Sequence, residues 1–235
     1  MKITLAAVAG LAAMAAAAAP PAFPVLRQGS VVEFIGDSIT DGGRARTGND
    51  YNHTMGQSYA FIIAATLGDR LAERNLTFIN RGISGNRILD LQARWQRDVL
   101  DEKPDLLSIL VGVNDTFWAR GETLEQFETV YDRLLQETIA ALPHTVIVLG
   151  EPFVMPVGAH KANYAAEREQ VAARAAIVAR LAAKYHLTLI RYQEAFDRAL
   201  QRAPADHWSW DGVHPHYAGH GLMADKWIRA VAALR

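Results

Sequence analysis

The residues of this chain whose types and spacing could do chemistry are Ser38, Gly82, Asn114, Asp211 and His214. The chemistry they suit is acyl transfer. A serine hydroxyl is a weak nucleophile until a base takes its proton. His214 can take it if its ring is held in the right tautomer. Asp211, three residues earlier across a turn, can accept a hydrogen bond from the far ring nitrogen and hold it there. The developing oxyanion then needs preorganised donors. The backbone N–H groups of Ser38 and Gly82 and the side-chain amide of Asn114 could converge on it. Glycine at 82 would let the backbone approach the substrate closely.

Each of these residues also has a plainer reading. Asp37 or Ser38 could simply cap a helix. Gly82 could be a turn glycine, and Asn114 could bond the backbone of its own turn. Asp211 and His214 could be a helix-capping pair. His207, His214, His216 and His220 invite a metal reading, with nitrogen or carboxylate partners because the chain has no cysteine. His216 and His220, four apart on the last helix, also suit a solvated face. Trp118, Trp208 and Trp210 fall in loops near the same edge, where tryptophan suits either stacking on sugar rings or packing. Trp95 reads as core. Arg44 and Arg46 either line an entrance or stand in solvent.

The elements that would position these residues alternate in type. Val31–Gly36 opens as a short apolar run, the pattern of a buried parallel strand. Further strands are expected at Leu76–Asn80, Leu106–Val111, Val146–Leu149 and Leu187–Ile190. Helices are expected over about residues 57–73, 88–101, 124–142, 164–185, 193–201 and 216–234. Asp41–His53 is rich in glycine, asparagine and aspartate and reads as a loop, as does Ala203–Pro215. Strands alternating with helices predict an α/β fold. With right-handed crossovers, the expectation is a flavodoxin-like three-layer α/β/α sandwich. Its five-stranded parallel sheet would have order 2-1-3-4-5. Ser38, Gly82, Asn114 and the Asp211–His214 pair then all lie beyond carboxyl ends of strands, where α/β sheets bind ligands.

The chain of 235 residues is 50% hydrophobic with a formal net charge of -1. That suits one globular domain and leaves no electrostatic footprint for nucleic acid or an anionic membrane. The absence of cysteine excludes disulfides, thiolate catalysis, thiolate metal sites and a lipid-modified cysteine. After Met1 and Lys2, an alanine-rich apolar run from Ile3 to Ala19 ends in small residues before Pro20 and Pro21. This reads as a secretory signal peptide over residues 1–22, with one domain over residues 23–235. The run is shorter than the ~20 strongly apolar residues of a spanning helix. The expected location is therefore secreted or periplasmic, with no stable membrane insertion after cleavage.

Gly36-Asp37-Ser38-Ile39-Thr40, Gly82, Gly112-Val113-Asn114-Asp115 and Asp211-Gly212-Val213-His214-Pro215 resemble, in order, the motifs of the SGNH (GDSL-type) esterases. The resemblance runs from about Val31 to Trp227. Phe34–Arg46, Gly82–Arg97 and Trp210–Gly219 look nearer to one branch, the acetylxylan esterases that deacetylate xylan or xylo-oligosaccharides. It implies Ser38 as nucleophile, His214 as base, Asp211 as its orienter, and Ser38, Gly82 and Asn114 as oxyanion hole. Ile39 replaces the family's usual leucine, as in that branch. The leader is a departure, since many relatives in the branch look intracellular.

The expected function is thus a serine esterase removing acetyl groups from carbohydrate, with Asp37, Arg44 and Trp210 as candidate substrate contacts. No cofactor, metal or nucleic-acid partner is expected, and a homo-oligomer stays open. A lipase- or thioesterase-like hydrolase of longer acyl esters is the alternative, though the loops after Ser38 and Asn114 are polar for an acyl groove. A non-catalytic carbohydrate-binding module is the third reading, opposed by retention of every reactive position. For His214, Asp211 would raise the ring's pKa and burial would lower it, so the sequence leaves the sign of the shift open.

Overall fold

The structure, a computed structural model, describes residues 23–48, 50–118 and 121–234. The leader expected over residues 1–22 lies outside them. The chain runs β1 (Val31–Gly36), α1 (Ser38–Asp41), α2 (Tyr51–Met55), α3 (Tyr59–Arg70), β2 (Thr77–Asn80), α4 (Ile88–Trp95) and β3 (Leu106–Leu110). It continues through α5 (Val113–Phe117), α6 (Leu124–Ala141), β4 (Val146–Gly150), α7 (Tyr164–Lys184) and β5 (Thr188–Ile190). It closes with α8 (Tyr192–Ala199), α9 (Ala205–Trp208) and α10 (Tyr217–Ala232).

The strands form one parallel sheet in the order β2-β1-β3-β4-β5, as expected. Successive side chains of a strand point to opposite faces. Val32 and Phe34 therefore pack with Leu106, Leu110, Tyr59, Phe196 and Trp227 on the face covered by α3, α8 and α10. Ile35 packs with Leu107, Ile109, Ile88, Trp95, Tyr131 and Val178 on the face covered by α4, α6 and α7. Large side chains on both faces, Trp95 and Trp227 among them, are almost wholly buried. Their indole N–H groups find hydroxyl partners, Thr138 Oγ1 and Ser108 Oγ, each at 3.0 Å, as buried indoles generally require.

One residue of the apolar β1 run is a buried acid. Glu33 points into the α4 side, and neither carboxyl oxygen meets a donor. Burial pushes its pKa up to about 9, so at pH 7 it sits in the core as the neutral acid.

Local chemistry moves several boundaries. The loop expected over Asp41–His53 includes the start of α2, because Asp50 caps it by accepting the Asn52 and His53 N–H groups at 3.1 and 3.4 Å. Beyond Trp95, α4 passes into a π-helical turn over Gln96–Leu100. The turn expected after β3 is helical, so Asn114 rides on α5. Trp208, expected in a loop, belongs to α9 and is buried.

Candidate active site

Gly36 ends β1 where no other residue fits. A Cβ there would overlap the Leu110 carbonyl and Thr40 Oγ1, because β1 and β3 run in register through Gly36 and Leu110. The chain then turns at Asp37 into α1, and Ser38 takes its first position. Its N–H has no acceptor inside the helix, as at any helix start. Asp37 caps α1, with Oδ1 accepting the Ile39 N–H at 3.0 Å. The substrate contact expected of Asp37 is not found: its carboxylate is 1% exposed and serves the backbone. Burial pushes its pKa up to about 7.

Ser38 Oγ lies 2.8 Å from His214 Nε2, and His214 Nδ1 lies 2.6 Å from Asp211 Oδ2. An ionised carboxylate can only accept, so Nδ1 carries the proton and Nε2 is left to accept the Ser38 hydroxyl. The other Asp211 oxygen accepts the Val213 and His214 N–H groups at 2.9 and 2.7 Å. These bonds hold the Asp211 pKa below the usual carboxylate range even against partial burial, which pulls the other way. The hydrogen bond to Asp211 raises His214 above the ordinary histidine value, partial burial opposing it. The sign left open by the sequence is therefore positive.

The Asp211–His214 turn is seated by contacts that have no motif. Ser209 Oγ accepts the Gly212 N–H at 2.9 Å and donates to the His214 carbonyl at 2.8 Å. Gly212 has φ +104°, and its carbonyl accepts the Met155 N–H at 2.8 Å. A side chain there would meet the carbonyls of Met155 and Val157. The segment after β4 is thus the bed of the Asp211–His214 turn. Trp210, 61% exposed, stacks on the His214 ring with centroids 5.6 Å apart and planes 20° apart.

Two of the three expected oxyanion donors remain available. Asn114 Nδ2 donates to the Asn86 carbonyl at 3.1 Å, which occupies one of its two hydrogens and leaves the other. Gly82 differs: its N–H donates to Asn80 Oδ1 at 2.8 Å. The reason is the buried Asn80 side chain at the end of β2. Its Nδ2 holds the Thr40 and Met55 carbonyls at 2.7 and 2.8 Å, which fixes Oδ1 beside Gly82. Gly82 is still required, since a Cβ would collide with the Asp41 backbone.

The arginines of the first loop explain that turn. Arg44 Nε and Arg46 Nη1 both donate to the Gly82 carbonyl at 2.9 Å. Asp41 accepts from Arg46, from the Ser84 N–H and from the Ser84 hydroxyl. Burial pulls the Arg44 pKa down to about 10, which leaves it a cation at pH 7. Arg44, expected as a substrate contact, has its Nε committed to the Gly82 carbonyl.

His220, expected on a solvated helix face, instead accepts the Tyr59 N–H on Nδ1 at 3.1 Å, at the start of α3 beside its cap Ser58. Burial and the neighbouring His214 pull its pKa down to about 4. Among the described residues no three His, Asp or Glu side chains gather as metal ligands. Beside Asn114 opens a polar cleft of about 350 Å³. Ser84, Asn86, Arg87, Asp90 and Trp118 wall it. Asn86 and Asp90 carried no signal of their own in the sequence, since both are ordinary turn and helix-start residues.

Known proteins resemble this chain in sequence and fold. Residues 34–222 match the GDSL-like Lipase/Acylhydrolase family. The chain is 32% identical over 213 residues to the acetylxylan esterase of Geobacillus stearothermophilus, covering 86% of this chain and 94% of that one. A crystal structure described as a GDSL-like lipase from Parabacteroides merdae superposes with a TM-score of 0.81 at 37% identity, over 88% of this chain and 97% of that one. The solved acetylxylan esterase of Geobacillus stearothermophilus, Axe2, gives 0.78 at 30% identity, over 89% and 97%. This chain belongs to the GDSL-like lipase/acylhydrolase family and is a carboxylic ester hydrolase.

Proposed function

We propose that the enzyme is an exported serine esterase that removes acetyl groups from carbohydrate of the xylan or xylo-oligosaccharide kind. The observation that carries the reading is the hydrogen-bonded line from Ser38 through His214 to Asp211; the cleft that Asn114 lines, with Ser84, Asn86, Arg87 and Asp90 in its walls, supports it. In it, Ser38 Oγ attacks the acetyl carbonyl as His214 Nε2 takes the hydroxyl proton. The charge on the carbonyl oxygen is met by the Ser38 N–H and Asn114 Nδ2. Collapse breaks the bond to the sugar oxygen, which leaves with the proton held by His214. Water, giving its proton to His214, then attacks the acetyl-serine and releases acetate. The polar walls suit sugar hydroxyls better than a long acyl chain. Similarity to an acetylxylan esterase supports the substrate.

The test is acetate release from acetylated xylan and acetylated xylo-oligosaccharides, set beside nitrophenyl esters of increasing chain length. Faster turnover of long-chain esters than of acetate, with no acetate freed from any acetylated sugar, would replace this reading by a lipase-like one.

Asn114→Ala should lower kcat for nitrophenyl acetate by about 10²–10³-fold while KM changes little. A raised KM at unchanged kcat would make Asn114 a binding residue instead.

Export is part of the proposal and rests on the alanine-rich leader. None of the described helices is long and apolar enough to cross a membrane. Mass spectrometry of the periplasmic or secreted protein should find an amino terminus between about Ala19 and Phe23. Protein that still begins at Met1 and is recovered only from cytoplasm would sink it.

A further inference from the structure

Arg94, in the last turn of α4, is a cation only 8% exposed that the acyl-transfer chemistry does not touch. Arginine is rarely buried without a partner, and an ion pair in the core meets that need by itself. Arg94 has one: Nη1 donates to Asp98 Oδ2 at 2.7 Å, four residues on. Asp98 also accepts from the exposed Arg97, through Nε and Nη2 at 2.6 and 2.9 Å. The ion pair uses one of the five guanidinium N–H groups of Arg94. Three more leave the helix, and each goes to a turn of the site.

Side chains of a helix lean toward its amino end, and for α4 that is where the turns after β1 and β2 meet. Arg94 Nη2 donates to the Gly36 carbonyl at 3.2 Å. Nη1 donates to the Arg81 carbonyl at 2.7 Å, and Nε to Asn86 Oδ1 at 2.8 Å. Gly36 stands two residues before Ser38, and its carbonyl also accepts the Ile83 N–H at 3.0 Å. Arg81 stands directly before Gly82. Asn86 accepts the Asn114 amide on its backbone carbonyl at 3.1 Å. One planar group therefore spans the strand end that delivers Ser38, the turn after β2, and the residue on which Asn114 rests.

None of these bonds reaches the reacting atoms. What they fix is the spacing of two donors. The Ser38 N–H and Asn114 Nδ2 follow different strands and must meet one oxyanion. We propose that Arg94 is a positioning residue: its guanidinium fork locks the Gly36 turn to Asn86, and so holds the Ser38 N–H and the Asn114 amide at the separation the oxyanion needs. This rests on the reading that those two groups form the oxyanion hole. The fork matters more than the charge. Lysine would keep the charge, but it presents its donors from a single atom and loses the planar reach to acceptors on separate turns.

Arg94→Lys tests this with nitrophenyl acetate, at a temperature where circular dichroism shows every variant folded. Its kcat should fall about 10–100-fold while KM stays within about twofold, the size of loss that a misplacement of about 1 Å brings. A purely structural role would lower the melting temperature without this split. In an Asn114→Ala background the same change should lower kcat by less than about threefold, since the spacing of two donors no longer matters once one is gone. A folded lysine variant with wild-type kcat would overturn the proposal. So would a loss as large in the Asn114→Ala background as in the wild type. If Asn114→Ala by itself keeps full kcat, the oxyanion reading fails and the proposal falls with it, a result distinct from the other two. Should Arg94→Lys not fold, Asn86→Ala removes one acceptor of the fork and leaves Arg94 on Gly36, Arg81 and Asp98. It is then measured in the same two backgrounds, and the same outcomes decide.

Discussion

Ser38→Ala is expected to leave a folded protein whose turnover of an acetate ester falls by about six orders of magnitude. Losses of about 2 × 10⁶ in kcat follow removal of the nucleophile in serine proteases, where the triad acts as a unit. The size follows from the geometry here. Ser38 Oγ is the sole partner of His214 Nε2 among the described hydrogen bonds, so the base has nothing else to activate. The fold should tolerate the change. The α1 helix is capped by Asp37, not by Ser38, and the Ser38 hydroxyl makes no bond into the core. Circular dichroism and thermal melting should therefore match the wild type. Incubation with substrate should trap an acyl adduct on Ser38 in the wild type and none in the variant. A folded alanine variant with near-native turnover would remove Ser38 from the mechanism. Activity lost to a chelator and restored by metal would promote the metal reading instead.

Asp211→Asn is expected to lower the activity plateau by about 10⁴-fold, the loss seen when the orienting carboxylate of a serine protease is replaced by its amide. The carboxylate makes Nδ1 the donor and leaves Nε2 free to accept. An amide can turn its own N–H toward Nδ1 and stabilise the opposite tautomer, in which Nε2 carries the proton and cannot act as base. The same substitution should move the pH profile in a direction that can be stated. His214 must be neutral to act, and Asp211 raises its pKa above the ordinary value of about 6.5. In the wild type kcat/KM for a neutral ester should climb through an ionisation above that value and then level off. Without the Asp211 charge the ionisation should move to lower pH. Rate–pH profiles of both proteins read the plateau and the midpoint separately. A shifted midpoint with a near-native plateau would make Asp211 a turn cap, a role its bonds to the Val213 and His214 N–H groups would also support.

The two clamps around the site differ in how visible they are from residue types. The Asp211–His214 clamp is local: both bonds to the backbone span two or three residues, and the turn brings acid and ring together without help from afar. The Gly82 clamp is built from residues far apart in the chain. Arg44 and Arg46 reach Gly82 across 38 and 36 positions, and Asp41 reaches Ser84 across 43.

The amino-acid sequence by itself determined the sheet and which polar residues follow its strands. Apolar runs of strand length, each followed by a polar turn and an amphipathic helix, have few ways to bury both faces of a parallel sheet, and the observed strand order is the expected one. That topology places Ser38, Asn114 and the Asp211–His214 turn on one edge, since each follows a strand's carboxyl end. What only the tertiary structure decided is which way the polar groups point. Asp37 turned inward to cap α1, the Gly82 N–H went to Asn80, and Arg44 went to a carbonyl. Each of these groups can satisfy its hydrogen bond with substrate, solvent or backbone, and residue type does not distinguish them. Burial does: once the sheet and helices close, a polar group out of reach of water must take the partner that packing brings to it. The same closure set the sign of the His214 shift.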